Sequence, residues 1–392
     1  MSSPARSSGE EPLIKKTRRR KKKNLTQQST QISSLPDDML LSCFARISRL
    51  HYPALSSVCK SFRSLLASPE LYETRSLLGN AESCLYVCLY LSLDLNPRWF
   101  TLCQKPNRKN NSSGNLLVPF PVPKSPRAHW KGVVAVGWSI YVIGGPFHDL
   151  PSSDVWVLDF HSLVWRKAPS MLVGRDYPAA NVFDGKIYVA GGFKDYNSSS
   201  NWMEVFDPKT QTWDFVVCPV AEGCSASVIK SAVIEGKILF YTFMNECLAY
   251  SPKEDRWEVI GGKTSLDSGW AWQSYCVIGD VLYSCCISVV LRWFDSKRQY
   301  WMALKGLKGL PRFHGNDCVK LADYGGKLAV FWTKYSPSSE YNEKTISCAV
   351  ISLERRNGDD EDEEIWGTVE WVDPLLTLAY PYRFECALAA TV

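Results

Sequence analysis

A mainly β fold, a six-bladed propeller preceded by three short helices and a disordered basic arm, is predicted for this 392-residue chain. Three observations predict it. From about residue 84 the sequence falls into short β-like runs divided by Gly, Asn, Asp and Pro. Tryptophan recurs at 165, 213, 257 and 301, at intervals of 48, 44 and 44 residues. A Gly-Gly pair closes the same hydrophobic run in two successive units, at 144–145 and 191–192. A period of that size fits four antiparallel strands per unit, which is one propeller blade.

Residues 1–33 are rich in Ser, Lys and Arg with few apolar residues, and are expected to be disordered. The run Lys15 to Lys23 within them suits an importin groove or a polyphosphate, and a solvated tail without a receptor is the plain alternative. This segment holds nine Lys/Arg against two Asp/Glu, so the chain's net charge of +5 leaves the remainder near −2. A near-neutral body argues against a nucleic-acid-binding face on the folded part.

Residues 34–78 carry helical spacing. Pro36 suits a first helical position, Asp37 and Asp38 complement the helix dipole, and Leu40, Phe44 and Ile47 repeat at i, i+4, i+7. Pro53 opens a second segment with Val58, Phe62, Leu65 and Leu66 on one side, and Pro69 a third with Leu71, Tyr72 and Leu78. Three helices in about 45 residues make a small core that a partner would stabilise.

The propeller is expected over 84–392. One unit runs Ser139–Gly145, Asp154–Asp159, Trp165; the next runs Gly185–Gly192, Met203–Asp207, Trp213. Gly236–Phe240 leads to Trp257, Gly279–Tyr283 to Trp301, and Gly326–Phe331 to Trp366 or Trp371. The glycine pair relieves crowding where the second strand turns, and the tryptophan fills the wedge between blades. Blades cannot bury their own edges, so the ring must close. Residues 84–103 read as two outer strands without inner ones, and Arg383–Ala390 resembles the inner-strand starts at Arg175 and Arg312, so 84–103 and 383–392 are expected to share one composite blade. Pro106–Pro126 and the acidic run Asp359–Glu364 read as insertions, the second as a mobile loop.

No stretch reaches the roughly 20 apolar residues of a membrane helix, and the first residues lack an apolar signal core. Fourteen cysteines without a CxxC pair read as small buried hydrophobes of a reducing compartment, nucleus or cytoplasm. His51, His129, His148, His161 and His314 have no ligand spacing, and no phosphate-cradling glycine motif occurs, so no catalytic residue, metal or cofactor is expected.

Residues 34–72, with Leu35-Pro36-Asp37-Asp38, Pro53-x-Leu55, Val58-Cys59-Lys60-x-Phe62-Arg63-x-Leu65-Leu66 and Ser68-Pro69-Glu70-Leu71, resemble an F-box, and residues 84–392 resemble kelch repeats. The combination is similar to the plant F-box/kelch family. Tyr241-Thr242 and Cys285-Cys286 depart from it where a Gly-Gly pair would fall. The resemblance implies a substrate receptor of a ubiquitin ligase: the F-box docks on a Skp-family adaptor held by a cullin–RING scaffold, and the propeller grips a target protein. It implies that Leu35, Pro36, Leu40, Leu41, Ile47, Pro53, Leu55, Val58, Cys59, Phe62 and Leu66 supply the adaptor-facing surface and the core beneath it. The target surface is expected on loops at 146–153, 193–201, 218–224, 261–270 and 332–345. Arg127, Arg175, Arg312 and Arg383 recur before the innermost strands, where they either ring that mouth or brace the turns between blades. A scaffold that recruits no cullin, and a metal-dependent propeller oxidase, are the rival functions.

Overall fold

Helix α1 (Asp37–Phe44) starts directly after Pro36 and buries Leu40, Leu41 and Phe44. A 3-10 turn (Arg49–His51), α2 (Tyr52–Ser56), α3 (Lys60–Leu66) and α4 (Pro69–Leu77) follow. Where one helix is expected from Pro53 to Leu66, the structure has two. Ser56 and Ser57 turn their hydroxyls back onto the carbonyls of Pro53 (2.8 Å) and Ala54 (2.7 Å), which favours ending a helix. Cys59 is then extended (φ −159°), and its sulfur accepts from Phe62 N at 3.4 Å as the cap of α3.

The computed structural model describes residues 35–92, 94–104, 114–122, 125–127, 129–145, 150–160, 162–192, 202–219, 227–243, 246–261, 265–270, 274–285, 290–313, 318–335, 343–357 and 363–391. Leu35 and Pro36 go with the N-terminal segment, and Asp37–Val392 form one compact unit. The basic run Lys15 to Lys23 lies outside the described residues.

Six four-stranded antiparallel sheets follow the helices among the described residues. Blade 1 comprises β4 (Val133–Val136), β5 (Ser139–Ile143), β6 (Val155–Asp159) and β7 (Val164–Ala168). Blade 2 comprises β8 (Ala179–Phe183), β9 (Lys186–Ala190), β10 (Met203–Asp207) and β11 (Thr212–Val216). Blade 3 comprises β12 (Val228–Ile234), β13 (Lys237–Thr242), β14 (Cys247–Ser251) and β15 (Arg256–Gly261), and the short α5 (Ser265–Gly269) follows it. Blade 4 comprises β16 (Tyr275–Ile278), β17 (Val281–Cys285), β18 (Leu291–Asp295) and β19 (Tyr300–Ala303). Blade 5 comprises β20 (Lys320–Tyr324), β21 (Lys327–Tyr335), β22 (Lys344–Asn357) and β23 (Glu363–Leu378). Blade 6 has the order β24-β1-β2-β3, with β24 (Tyr382–Thr391) innermost beside β1 (Ser83–Leu91), β2 (Arg98–Gln104) and β3 (Asn115–Pro119). Each innermost strand touches the next, from β4 round through β24 and back to β4, so the sheets close a ring.

Four of the recurring tryptophans (Trp165, Trp213, Trp257 and Trp301) lie on outermost strands, and three reach back to the blade before. Indole N–H groups of Trp213, Trp257 and Trp301 donate to the carbonyls of Pro169 (2.9 Å), Val217 (2.9 Å) and Leu266 (3.0 Å). Each seals a wedge and fixes a blade-to-blade crossing with the same atom. The glycine pairs also have a steric cause. Gly144 and Gly192 take positive φ (+74° and +75°), and a Cβ on Gly192 would stand 2.4 Å from Asp176 O.

Three expectations need correction. Asn115–Pro119, placed in an insertion, is β3, the outer strand of blade 6, so 84–103 supplies the middle strands and not the outer two. Glu363 and Glu364, placed in a mobile acidic loop, open β23 and are neutralised by Arg355, Lys297 and Lys305. In blade 5 the register Leu328–Ile351–Val369 puts Val369 where the other blades carry tryptophan, because β22 and β23 slip register between Val350 and Ile351.

Candidate binding surfaces

The helical segment sorts its apolar residues into two classes. Leu40, Leu41, Phe62 and Leu66 are buried, with Ile47, Leu55 and Cys59 packed against them, and Phe44 meets Phe62 edge to face at 4.8 Å. Those seven are core or core margin. Leu35, Pro36, Pro53 and Val58 are exposed, Val58 by 64%. Met39, which sequence reasoning passed over, is exposed by 55% on α1. Its signal was present: Met39 follows the acidic first turn and falls outside the Leu40, Phe44, Ile47 spacing.

Arg75 of α4 locks these helices to the propeller. It is 2% exposed, and its guanidinium donates to Ile47 O (2.8 Å), Ala45 O (3.3 Å), Tyr52 Oη (3.1 Å) and Asn80 O (2.7 Å) while pairing with Glu82 at 3.1 Å. Arg49 lies 5.1 Å over the Tyr72 ring and its amide donates to Glu82. Between the helices and blade 6 lies a cavity of about 450 Å³, lined among others by Arg49, Leu66, Cys84, Cys103 and Phe120. Tyr324, which ends β20, and Leu163, in the β6–β7 turn, border it too. The helices therefore sit at the end of the ring where the innermost strands finish.

The other end is where those strands start, and there the four recurrent arginines diverge. Arg175 is fully buried and cannot offer its guanidinium to a target. Its Nε pairs with Glu204, also fully buried, at 2.7 Å, and Nη1 donates to Gly191 O (2.6 Å) and Trp202 O (3.2 Å). It braces blade 1 against blade 2. Arg127, Arg312 and Arg383 are exposed, Arg383 pairing with Glu385 at 3.0 Å over the Tyr90 ring. Of the expected target loops, 193–201 lies outside the described residues, and the described parts of 146–153, 218–224 and 261–270 lie at this end. Within 332–345, Trp332–Tyr335 and Lys344–Thr345 are paired strand residues of β21 and β22 rather than loop.

The feature sequence reasoning missed lies on the axis. A cavity of about 480 Å³ is lined by Trp130, Lys131, Ser231, Tyr275, Lys320 and Glu385 among others. Trp130 reaches from blade 1 to within 6.0 Å of the Tyr275 ring in blade 4, and Lys320 lies 5.9 Å from Trp130. Lys131 is buried, donates to Val228 O at 2.6 Å and lies 4.0 Å from the Tyr177 ring. Burial pushes its ammonium down to about 7, with Asp176 opposing through space. Lys320 is lowered and Glu385 raised, both chiefly by burial. His129 is held neutral, down to about 2, by burial and then by the neighbouring cations Lys131, Arg383 and Lys320. A lysine abutting an apolar run, as in Trp130-Lys131-Gly132-Val133 and Val319-Lys320-Leu321, was the available signal.

Lys131 makes stability depend on pH with a definite sign. Between pH 7 and 10.5 the unfolded chain binds a proton that the folded chain does not, so stability rises with pH there and is lost as pH falls toward 7. Replacing Lys131 by Met should remove that slope and stabilise the protein by about 1–3 kcal/mol at pH 7, with little gain near pH 10. Urea unfolding at the two pH values checks it.

A family model described as "FKB95, Kelch-repeats domain" matches residues 99–376, and one described as "F-box domain" matches residues 32–74. The chain is 53% identical over 397 aligned positions to the Arabidopsis thaliana F-box/kelch-repeat protein At4g39550, spanning 96% of this chain and 99% of the relative. It is 51% identical to F-box/kelch-repeat protein At4g39580 of the same plant, spanning 91% and 93%.

Proposed function

The chain belongs to the F-box/kelch-repeat family, and from that membership we propose that it is the target-choosing subunit of a Skp–cullin–F-box ubiquitin ligase. In this reading the helices bind a Skp-family adaptor and the propeller holds the target. Catalysis is left to the enzyme that the cullin–RING scaffold brings, and the subunit contributes proximity: a target lysine held near activated ubiquitin reacts at a raised effective concentration. Nuclear import through the basic run Lys15 to Lys23 belongs to the same proposal.

One observation carries it. The helical segment fills its own core and still leaves Met39 and Val58 more than half exposed, on a segment clamped to the end of the ring away from the mouth. An adaptor on those side chains and a target at the mouth would not compete. Co-expression with a Skp-family adaptor should give a stable complex, weakened at least tenfold by Val58→Glu with Met39→Glu, or by Leu35→Ala with Pro36→Ala. Undiminished binding would count against the adaptor role. An adaptor complex that captures no cullin would instead favour a plain interaction scaffold.

A further inference from the structure

The mouth reached by the start of the innermost strands has two properties that together describe its ligand. Its centre is cationic. Lys131, on the turn before β4, and Lys320, the first residue of β20, line the axial cavity from the two blades flanking blade 6. Lys131 is held by a carbonyl and an aromatic face, and no described carboxylate forms an ion pair with it. Both acids that line the cavity are committed already: Glu385 accepts from Trp130 N at 2.9 Å and pairs with Arg383 Nε at 3.0 Å, and Asp323, near the far end of β20, accepts from Gly326 N at 2.8 Å.

Its rim is apolar. Leu95, Leu150, Leu172, Phe243, Val290 and Tyr380 are exposed by 40–81%. All six stand on connections from second to third strands or from one blade to the next, which lie at the end where β4 and β20 begin. At the opposite end Trp138 is the comparable exposed residue on a described turn of the propeller. Water-exposed apolar rings around a buried cationic centre mark a surface that awaits a partner of complementary pattern.

We propose that this mouth takes a peptide segment of the target carrying a carboxylate flanked by apolar side chains, the carboxylate seated against Lys131 and Lys320 under Trp130 and the apolar residues on the rim. The proposal rests on the reading of this mouth as the target surface and adds its chemistry. A carboxylate there gains charge-assisted hydrogen bonds in a low-dielectric site whose lysines are already desolvated by the fold, so little reorganisation opposes binding. The carboxylate is either an internal Asp or Glu or the target's own C-terminus.

Random dodecapeptides, displayed with free and with amidated C-termini, would be selected on the full chain bound to its adaptor. Selected peptides should be enriched in a single acid between apolar residues, and Glu→Gln in the peptide should weaken binding at least tenfold. If amidation weakens it and Glu→Gln does not, the C-terminal source is the one used. In Lys131→Met and in Lys320→Met the preference for acid over amide should fall to within twofold, with the folded state at least as stable as the wild type in Lys131→Met. Binders that show no acid preference but are lost in Phe243→Asp would overturn the carboxylate and keep the mouth. Binders insensitive to Phe243→Asp, or none at all, would overturn both.

Discussion

Arg175→Ala is expected to cost about 3–5 kcal/mol of stability, although Arg175 touches no surface. Its guanidinium and the carboxylate of Glu204 are both fully buried and 2.7 Å apart. Removal of one member of such a pair leaves the other charged in a low-dielectric site, which is costlier than losing the pair. Glu204 would keep the amide of Leu172 at 2.8 Å, the Gly191 carbonyl would lose the guanidinium, and the Trp202 carbonyl would be left with the Gly191 amide at 3.0 Å. The backbone of Arg175 also exchanges two hydrogen bonds with Ser152, so the loss falls on the seam between blades 1 and 2. Glu204→Gln should cost less, since it retains the shape and one acceptor. Arg175→Met with Glu204→Leu should recover most of the loss, because apolar residues of similar volume satisfy one another. Urea unfolding of the two singles and the double measures the coupling; a double variant as unstable as the summed singles would mean that the carbonyl contacts, not the ion pair, hold the seam.

The ring was legible because blades 2, 3 and 4 use their tryptophan in the same way. Trp213, Trp257 and Trp301 all bond a carbonyl of the blade before, so the need repeats and so does the residue. Where another residue meets the need, the signal fades: Val369 holds the tryptophan register of blade 5, and β3, with sequence Asn-Leu-Leu-Val-Pro, carries neither glycine nor tryptophan to mark it. The exposed and buried faces of the helical segment could not be separated by spacing alone, since Leu66 and Val58 share one apolar side in the pattern and part company only where Ser56 and Ser57 end α2. The axial lysines were illegible for a different reason. Which residues face the channel depends on closure of the ring, and contacts such as Lys131 to Val228 or Trp130 to Glu385 join residues far apart in the chain.

Arg75→Ala is expected to cost about 2–4 kcal/mol, and the loss should be confined to the helices rather than the propeller. Arg75 donates to the carbonyls of Ala45, Ile47 and Asn80 and to the Tyr52 hydroxyl, and pairs with the Glu82 carboxylate. Those groups come from the end of α1, the turn before α2, α2 itself and the linker into β1, so one side chain ties four elements that have only a small core of their own. Glu82 is 30% exposed and can recruit water, which keeps the penalty below that of the Arg175 pair. The propeller does not need Arg75 for closure, because its ring is sealed by β24 against β1 and β4. Amide exchange should therefore speed up in α1–α4 while the innermost strands stay protected. Adaptor affinity should fall at least tenfold in step with that opening, and peptide capture at the mouth should not change. Arg75→Lys, which keeps the charge but cannot reach all five acceptors, should lie between wild type and Arg75→Ala. If exchange instead rises evenly in helices and blades, the two parts unfold as one cooperative body, and the helices add to the stability of the ring as well as resting on it.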